Sequence, residues 1–187
     1  YTVDTAANGG LGYWDIAGTD FRVFKVNEVF PYFADLYTGT GEVGETFVTM
    51  GRGGPRGAEV IRSAELKGWQ TGSADGMARW GANEVTAVQF SPVGDLLRAE
   101  FNASGVAEEA SLSVGDSGGG VFILDGGVWK LAGINYATDG YFDTNDIIGD
   151  NSHFSGAIFD KGGLYEGSDG GGWTLHADEP SDIPASL

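Results

Sequence analysis

Up to about residue 137 this chain is a succession of short apolar runs broken by glycine-bearing turns, and none of them repeats with a helical period. The clearest are DFRVFKV (20–26), TFVTM (46–50), AEVIRSAEL (58–66), NEVTAVQF (83–90) and DLLRAEF (95–101). Alternating apolar and polar side chains put one face of a strand inward, whereas an amphipathic helix needs apolar residues every third or fourth position. VFIL (121–124) and VWKLAGINYA (128–137) follow, separated by Asp125, Gly126 and Gly127. That is a strong hairpin signal, because tight hairpin turns demand positive φ. Strands at this spacing predict an all-β sandwich or barrel. No strand–helix–strand alternation is visible, which argues against a parallel α/β sheet. From residue 138 to 187 the pattern dissolves into loop-like DGYFDTNDIIGDN (139–151) and YEGSDGGGW (165–173), with FSGAIFD (154–160) as a single candidate strand.

The 187 residues are 41% hydrophobic, enough to build a core and too apolar for disorder. The 33 glycines fall in clusters without a collagen period, as turns do. A net charge of −17 makes nucleic acids and anionic membranes poor partners, since both need basic patches. With no cysteine there is no thiol chemistry and no disulfide. No apolar run approaches the ~20 residues of a membrane-spanning helix. The first residue, Tyr1, and the lack of a signal-peptide pattern point to a processed or partial chain.

One serine stands out. Ser117 sits in Gly115-Asp116-Ser117-Gly118-Gly119, where glycines free the backbone to turn sharply and to approach a ligand closely. Two nucleophile motifs fit. G-x-S-x-G, the nucleophile elbow of α/β-hydrolases, would take Asp160 and His176 as later partners, but it requires a helix after the serine, and here a hairpin follows. The second is GDSGG. In it the N–H groups of Gly115 and Ser117 converge to stabilise an oxyanion.

GDSGG and its surroundings resemble the trypsin/chymotrypsin-like serine proteases, in particular their bacterial secreted members. TDFRVFKVNEVFP (19–31) is similar to the family's catalytic-aspartate strand, and FVTMGRG (47–53) to the strand that opens the second barrel. VWKLAGINYAT (128–138) is similar to the strand after the nucleophile, and ARWGANEV (78–85) to a segment of bacterial members. The resemblance spans nearly the whole chain and is weakest over 54–92. It implies a double β-barrel, with residues 1–40 as the remainder of an incomplete first barrel and 41–187 as the second. It also implies that Ser117 is the nucleophile, Asp20 the triad acid (Asp95 is a weaker rival), and Gly115 and Ser117 the oxyanion donors. Ser111, six positions before the nucleophile, would floor the primary substrate pocket. A neutral floor favours apolar or small side chains. Asn135, Tyr136 and Ala137 would form its wall and the edge that pairs with substrate backbone.

The family's histidine precedes its aspartate. Here only His153 and His176 exist, and both follow Ser117. Three explanations remain open. The histidine lies on a companion N-terminal segment or chain; or the chain is an inactive homologue with a binding or assembly role; or His153 or His176 supplies the base. Nineteen residues before Asp20 are too few for a first barrel, and PASL (184–187) stops where the family carries a last strand and a C-terminal helix, so both ends suggest a fragment. The expected partner is a protein or peptide substrate, and the expected location is secreted or cell-surface. The chemistry needs no cofactor. Asp139, Asp143, Asn145, Asp146 and Asp150 offer oxygen ligands suited to Ca2+, but their spacing is not that of an EF-hand, and a solvated acidic loop is the simpler reading.

Overall fold

A computed structural model describes residues 1–177 and the short strand at 185–186. Apart from one 3-10 turn (Asn8–Gly10), the described chain is all-β. Its strands are β1 (Tyr13–Asp15), β2 (Arg22–Phe24), β3 (Thr46–Gly51), β4 (Arg56–Arg62), β5 (Glu65–Thr71), β6 (Arg79–Glu84), β7 (Ala87–Ser91) and β8 (Gly94–Arg98). They continue with β9 (Glu100–Phe101), β10 (Gly120–Asp125), β11 (Val128–Ile134), β12 (Tyr141–Asp143), β13 (Gly156–Ile158), β14 (Tyr165–Ser168), β15 (Gly172–Leu175) and β16 (Ala185–Ser186).

The main sheet runs β11–β10–β3–β6, antiparallel throughout. A second sheet is β13–β5–β4 and a third β12–β14–β15; β1–β2, β7–β8 and β9–β16 are two-stranded ladders. Among the described residues these ladders do not close into a ring. Period-2 patterning explains the main sheet. In β3, Phe47 and Thr49 point inward and Met50 outward, and Phe47 pairs with the fully buried Ile123 of β10. Phe47, Val85, Ala99 and Ile123 form one core. Val60, Phe142, Ile158 and Leu164 form another, between the second and third sheets. Burial of each large side chain contributes ~1.5–3 kcal/mol.

Several sequence expectations are met. The hairpin at 125–128 is present, with Gly126 and Gly127 at φ +59° and +82°, and FSGAIFD holds β13. Others need correction. AEVIRSAEL is two strands: Ser63 and Ala64 take φ +52° and +65°, a tight turn built without glycine or asparagine. NEVTAVQF likewise spans the end of β6 and the start of β7. The stretch after residue 138 is not loop-like. β12, β14 and β15 pair there, with Tyr141 opposite Gly167 and Gly167 opposite Trp173. Strands of three or four residues carry too little alternation to be seen in sequence. Of PASL, Ala185 and Ser186 pair with β9; Pro184 and Leu187 lie outside the described residues.

Residues 1–40 bury no apolar side chain. Val29, Tyr32 and Phe33 are 92%, 89% and 82% exposed. Residues 35–37 nevertheless extend the main sheet, since Leu131 N–H donates to Asp35 O and Tyr37 N–H to Leu131 O.

Candidate active site

The turn carrying Ser117 is fixed from two sides. From within, the Asp116 carboxylate accepts Ser113 N–H at 2.8 Å and, across the sheet end, Gly53 N–H at 2.7 Å. Ser113 Oγ reaches the same carboxylate at 3.1 Å. From the side, buried Asn135 accepts Thr49 Oγ–H at 2.8 Å on its amide oxygen. Its Nδ2 donates to Met50 O at 3.0 Å and Asp116 O at 3.2 Å. The backbone follows: Gly118 N–H donates to Asn135 O and Asn135 N–H to Gly119 O.

Glycine is required by close approach at several of these points. A Cβ on Gly51 would lie 1.9 Å from Asp116 Oδ1, and one on Gly119 would lie 1.9 Å from Met50 O. Gly115 takes φ +105° with Gly53 Cα only 3.2 Å from where its Cβ would be. Asp116 N–H is used by Ser113 O. The flanking N–H groups of Gly115 and Ser117 have no acceptor among the described residues, and both residues are exposed. Two unspent amides beside an exposed hydroxyl, itself without a partner among the described residues, are what an oxyanion and its nucleophile need.

Ser117 lines a cavity of about 170 Å3 with Leu112, Val114, Asn135, Tyr136 and Ala137. Asp20 lines another, of about 300 Å3, whose wall includes Asp95, Leu96, Phe47 and the same Asn135, Tyr136 and Ala137. The 135–137 edge therefore borders both cavities. Asp20 is exposed, and its carboxylate has no hydrogen bond or ion pair among the described residues. Ser111 is placed differently. It lines a third cavity, of about 230 Å3, behind the turn, and does not line the Ser117 cavity; Leu112, Ser113 and Asp116 form the wall between.

Among the described residues no histidine lines any of these cavities. His176 Nε2 is 2.8 Å from Glu166 Oε2 in the third sheet. His153 packs edge-on to Tyr141 and beside Trp173, in the same lobe. The acidic loop is largely self-satisfied. Buried Asp143 accepts Thr144 N–H and Ser152 Oγ–H, and Asp139 pairs with Lys161 at 2.9 Å. Bonds from the Ser152 backbone and hydroxyl, and then from Asn145, hold the Asp150 carboxyl below its ordinary value. Among the described residues no three His, Cys, Asp or Glu side chains are grouped to hold a metal ion. No described helix is long and apolar enough to cross a membrane.

The motif did not reveal the role of Asp116, and Asn135, expected as pocket wall and substrate-pairing edge, is buried with its own backbone N–H and carbonyl already bonded to Gly119 O and Gly118 N–H. Gly51 and Gly53 carried the signal, since glycine inside or just after a strand marks a close approach. Comparisons with protein-family models, curated proteins and solved structures find no match.

Proposed function

We propose that this chain carries the nucleophile half of a trypsin-like serine endopeptidase, with Ser117 as nucleophile and Asp20 as triad acid. The observation that supports this most is the shared wall: Asn135, Tyr136 and Ala137 line both the cavity of Ser117 and that of Asp20. An imidazole seated over that edge would take the Ser117 proton, while Asp20 accepts its other N–H and fixes the tautomer. Ser117 Oγ would attack the scissile carbonyl. The Gly115 and Ser117 amides would hold the oxyanion, and water would then release the acyl-enzyme. In this reading the histidine comes from a companion N-terminal segment or chain covering the exposed apolar surface of residues 1–36. The enzyme would work outside the cell.

A second reading rests on the absence of any histidine from the described cavities: an inactive homologue whose exposed strands serve binding or assembly. A fluorophosphonate probe separates the two. Adduct on Ser117 requires an activating base and excludes the inactive reading. No adduct, with an intact mass equal to residues 1–187 alone, overturns the peptidase reading for that species.

A further inference from the structure

The third cavity lies behind the nucleophile turn, between the main sheet and the β13–β5–β4 sheet, and the hydrolytic reading gives it no task. Its apolar walls are Trp69, Trp80, Phe101 and Leu112, and two guanidiniums, Arg56 and Arg79, line it as well. Arg79 is already engaged: Asp75 takes it through bonds of 2.9 and 2.6 Å. Of the two carboxylates of the wall, Asp116 holds Gly53 N–H and Ser113 N–H; Glu109 accepts Asn102 N–H on one oxygen, while its other oxygen is buried beside Gly105 without a hydrogen-bond partner among the described residues.

Arg56 is different. Its guanidinium lies 4.1 Å over the Trp69 ring. Alone among the ten basic side chains, it makes neither a hydrogen bond nor an ion pair with a described residue. In so acidic a chain, an arginine with no carboxylate partner among the described residues, beside an aromatic-walled cavity, is conspicuous. Stacking on indole covers one face of the guanidinium and leaves the N–H edge free, and that edge matches a carboxylate in bidentate geometry.

We infer that this cavity binds an organic carboxylate with a flat apolar body, the carboxylate on Arg56 and the body against the indole and phenyl walls. A volume of about 230 Å3 suits a ligand of one aromatic ring and a short chain. A free aromatic acid and the C-terminal carboxylate of a peptide ending in an apolar residue present this same chemistry. The inference does not depend on hydrolysis at Ser117.

Titration calorimetry on the full chain tests it with 3-phenylpropanoate, its uncharged amide, and the peptide Ala-Ala-Phe as free acid and as C-terminal amide. Saturable binding of 3-phenylpropanoate or of the free-acid peptide is expected, with each amide at least about tenfold weaker. Whichever acid binds better identifies the source. Arg56→Met should cost about tenfold or more, which also separates this site from the Ser117 cavity, where Arg56 takes no part. Arg56→Lys keeps the charge, loses the fork and should fall between; it decides the matter should the Met variant not fold. Absence of saturation by either acid up to about 10 mM, equal binding of acid and amide, or undiminished binding by both Arg56 variants would overturn the inference.

Discussion

Asp116 Oδ1 accepts the Gly53 N–H at 2.7 Å, a bond that ties the Ser117 turn to the end of β3 across 63 residues of sequence. The same carboxylate takes Ser113 N–H, so its loss would leave two backbone donors unpaired. Asp116→Ala should cost ~2–3 kcal/mol, read as a fall in thermal midpoint. Asp116 acts through the turn and positions Ser117. Its loss should therefore slow fluorophosphonate labelling more than it lowers the midpoint, whereas a variant equally destabilised in the distant third sheet should label normally. Equal labelling of the two would refute the positioning role.

The two glycines after Ser117 separate conformational need from space. Gly118 has φ +81° with nothing within 4 Å of its Cβ position. Gly118→Ala should cost only the left-handed penalty of ~1–2 kcal/mol. At Gly119 a methyl group would strike Met50 O, which cannot retreat without losing Asn135 Nδ2. Gly119→Ala should cost ~3 kcal/mol or more. Denaturant midpoints of the two variants check the order, and a smaller loss for Gly119→Ala would contradict the packing described.

What could be read from the sequence tracks how local each signal is. The 125–128 hairpin and β3 were legible because alternation and paired glycines act within a few residues. The hairpin at Ser63 and Ala64 was hidden, since neither residue announces positive φ. The third sheet was hidden because its strands are too short to show a period. The Ser117 turn was legible as a motif, but the bonds that shape it join residues 53, 116 and 135, and no local pattern records such contacts. Ser111, six residues before Ser117, lines a different cavity, with Leu112, Ser113 and Asp116 in the wall between the two.

Asn135 offers a pH-dependent test. Its Nδ2 faces two carbonyl oxygens, so a carboxylate in its place would meet Met50 O and Asp116 O with acceptor against acceptor. Asn135→Asp should cost roughly 2–4 kcal/mol at neutral pH. The introduced acid would have a folded pKa above its unfolded value of about 3.9, so the folded state would bind the proton more tightly. The gap between variant and wild type should therefore narrow as pH falls through that raised value, and widen again on return to neutrality. Thermal melts of both proteins from about pH 7 to pH 4 measure it, and a gap that does not change with pH would refute the arrangement.

Asp75 should show the opposite sign. Hydrogen bonds from Arg79, and then from Met77 N–H, hold its carboxyl far below the usual carboxylate range. The unfolded chain therefore binds this proton more readily than the folded one. The stabilisation is present above the unfolded pKa of about 4 and is lost as pH falls toward the depressed folded value. Asp75→Asn should flatten the acid limb of the stability profile below about pH 4 and leave its shape near neutrality unchanged. Because the pair is solvent-exposed, about 0.5 M salt should shrink the difference between the two proteins. An unchanged acid limb in the variant would show that Asp75 carries no such linkage.

Lys67 presents the buried counterpart. Its side chain is 2% exposed, and its ammonium meets Asp160 Oδ2 at 2.6 Å and Glu65 Oε2 at 3.1 Å. Burial works against its charge, yet the bonds from Asp160 and Glu65 outweigh it and raise its pKa above the ordinary lysine value. Lys67→Met takes the ammonium from Asp160 and should cost ~3 kcal/mol or more, whereas Asp160→Leu should cost less, because Glu65 still meets the buried ammonium. Replacing Lys67 with Met and Asp160 with Leu together should cost less than the sum of the single changes, because no uncompensated charge is then left behind. Urea melts of the four proteins close the cycle. Strict additivity would mean that the two side chains, although 2.6 Å apart, contribute independently to the packing of β5 against the 158–161 segment.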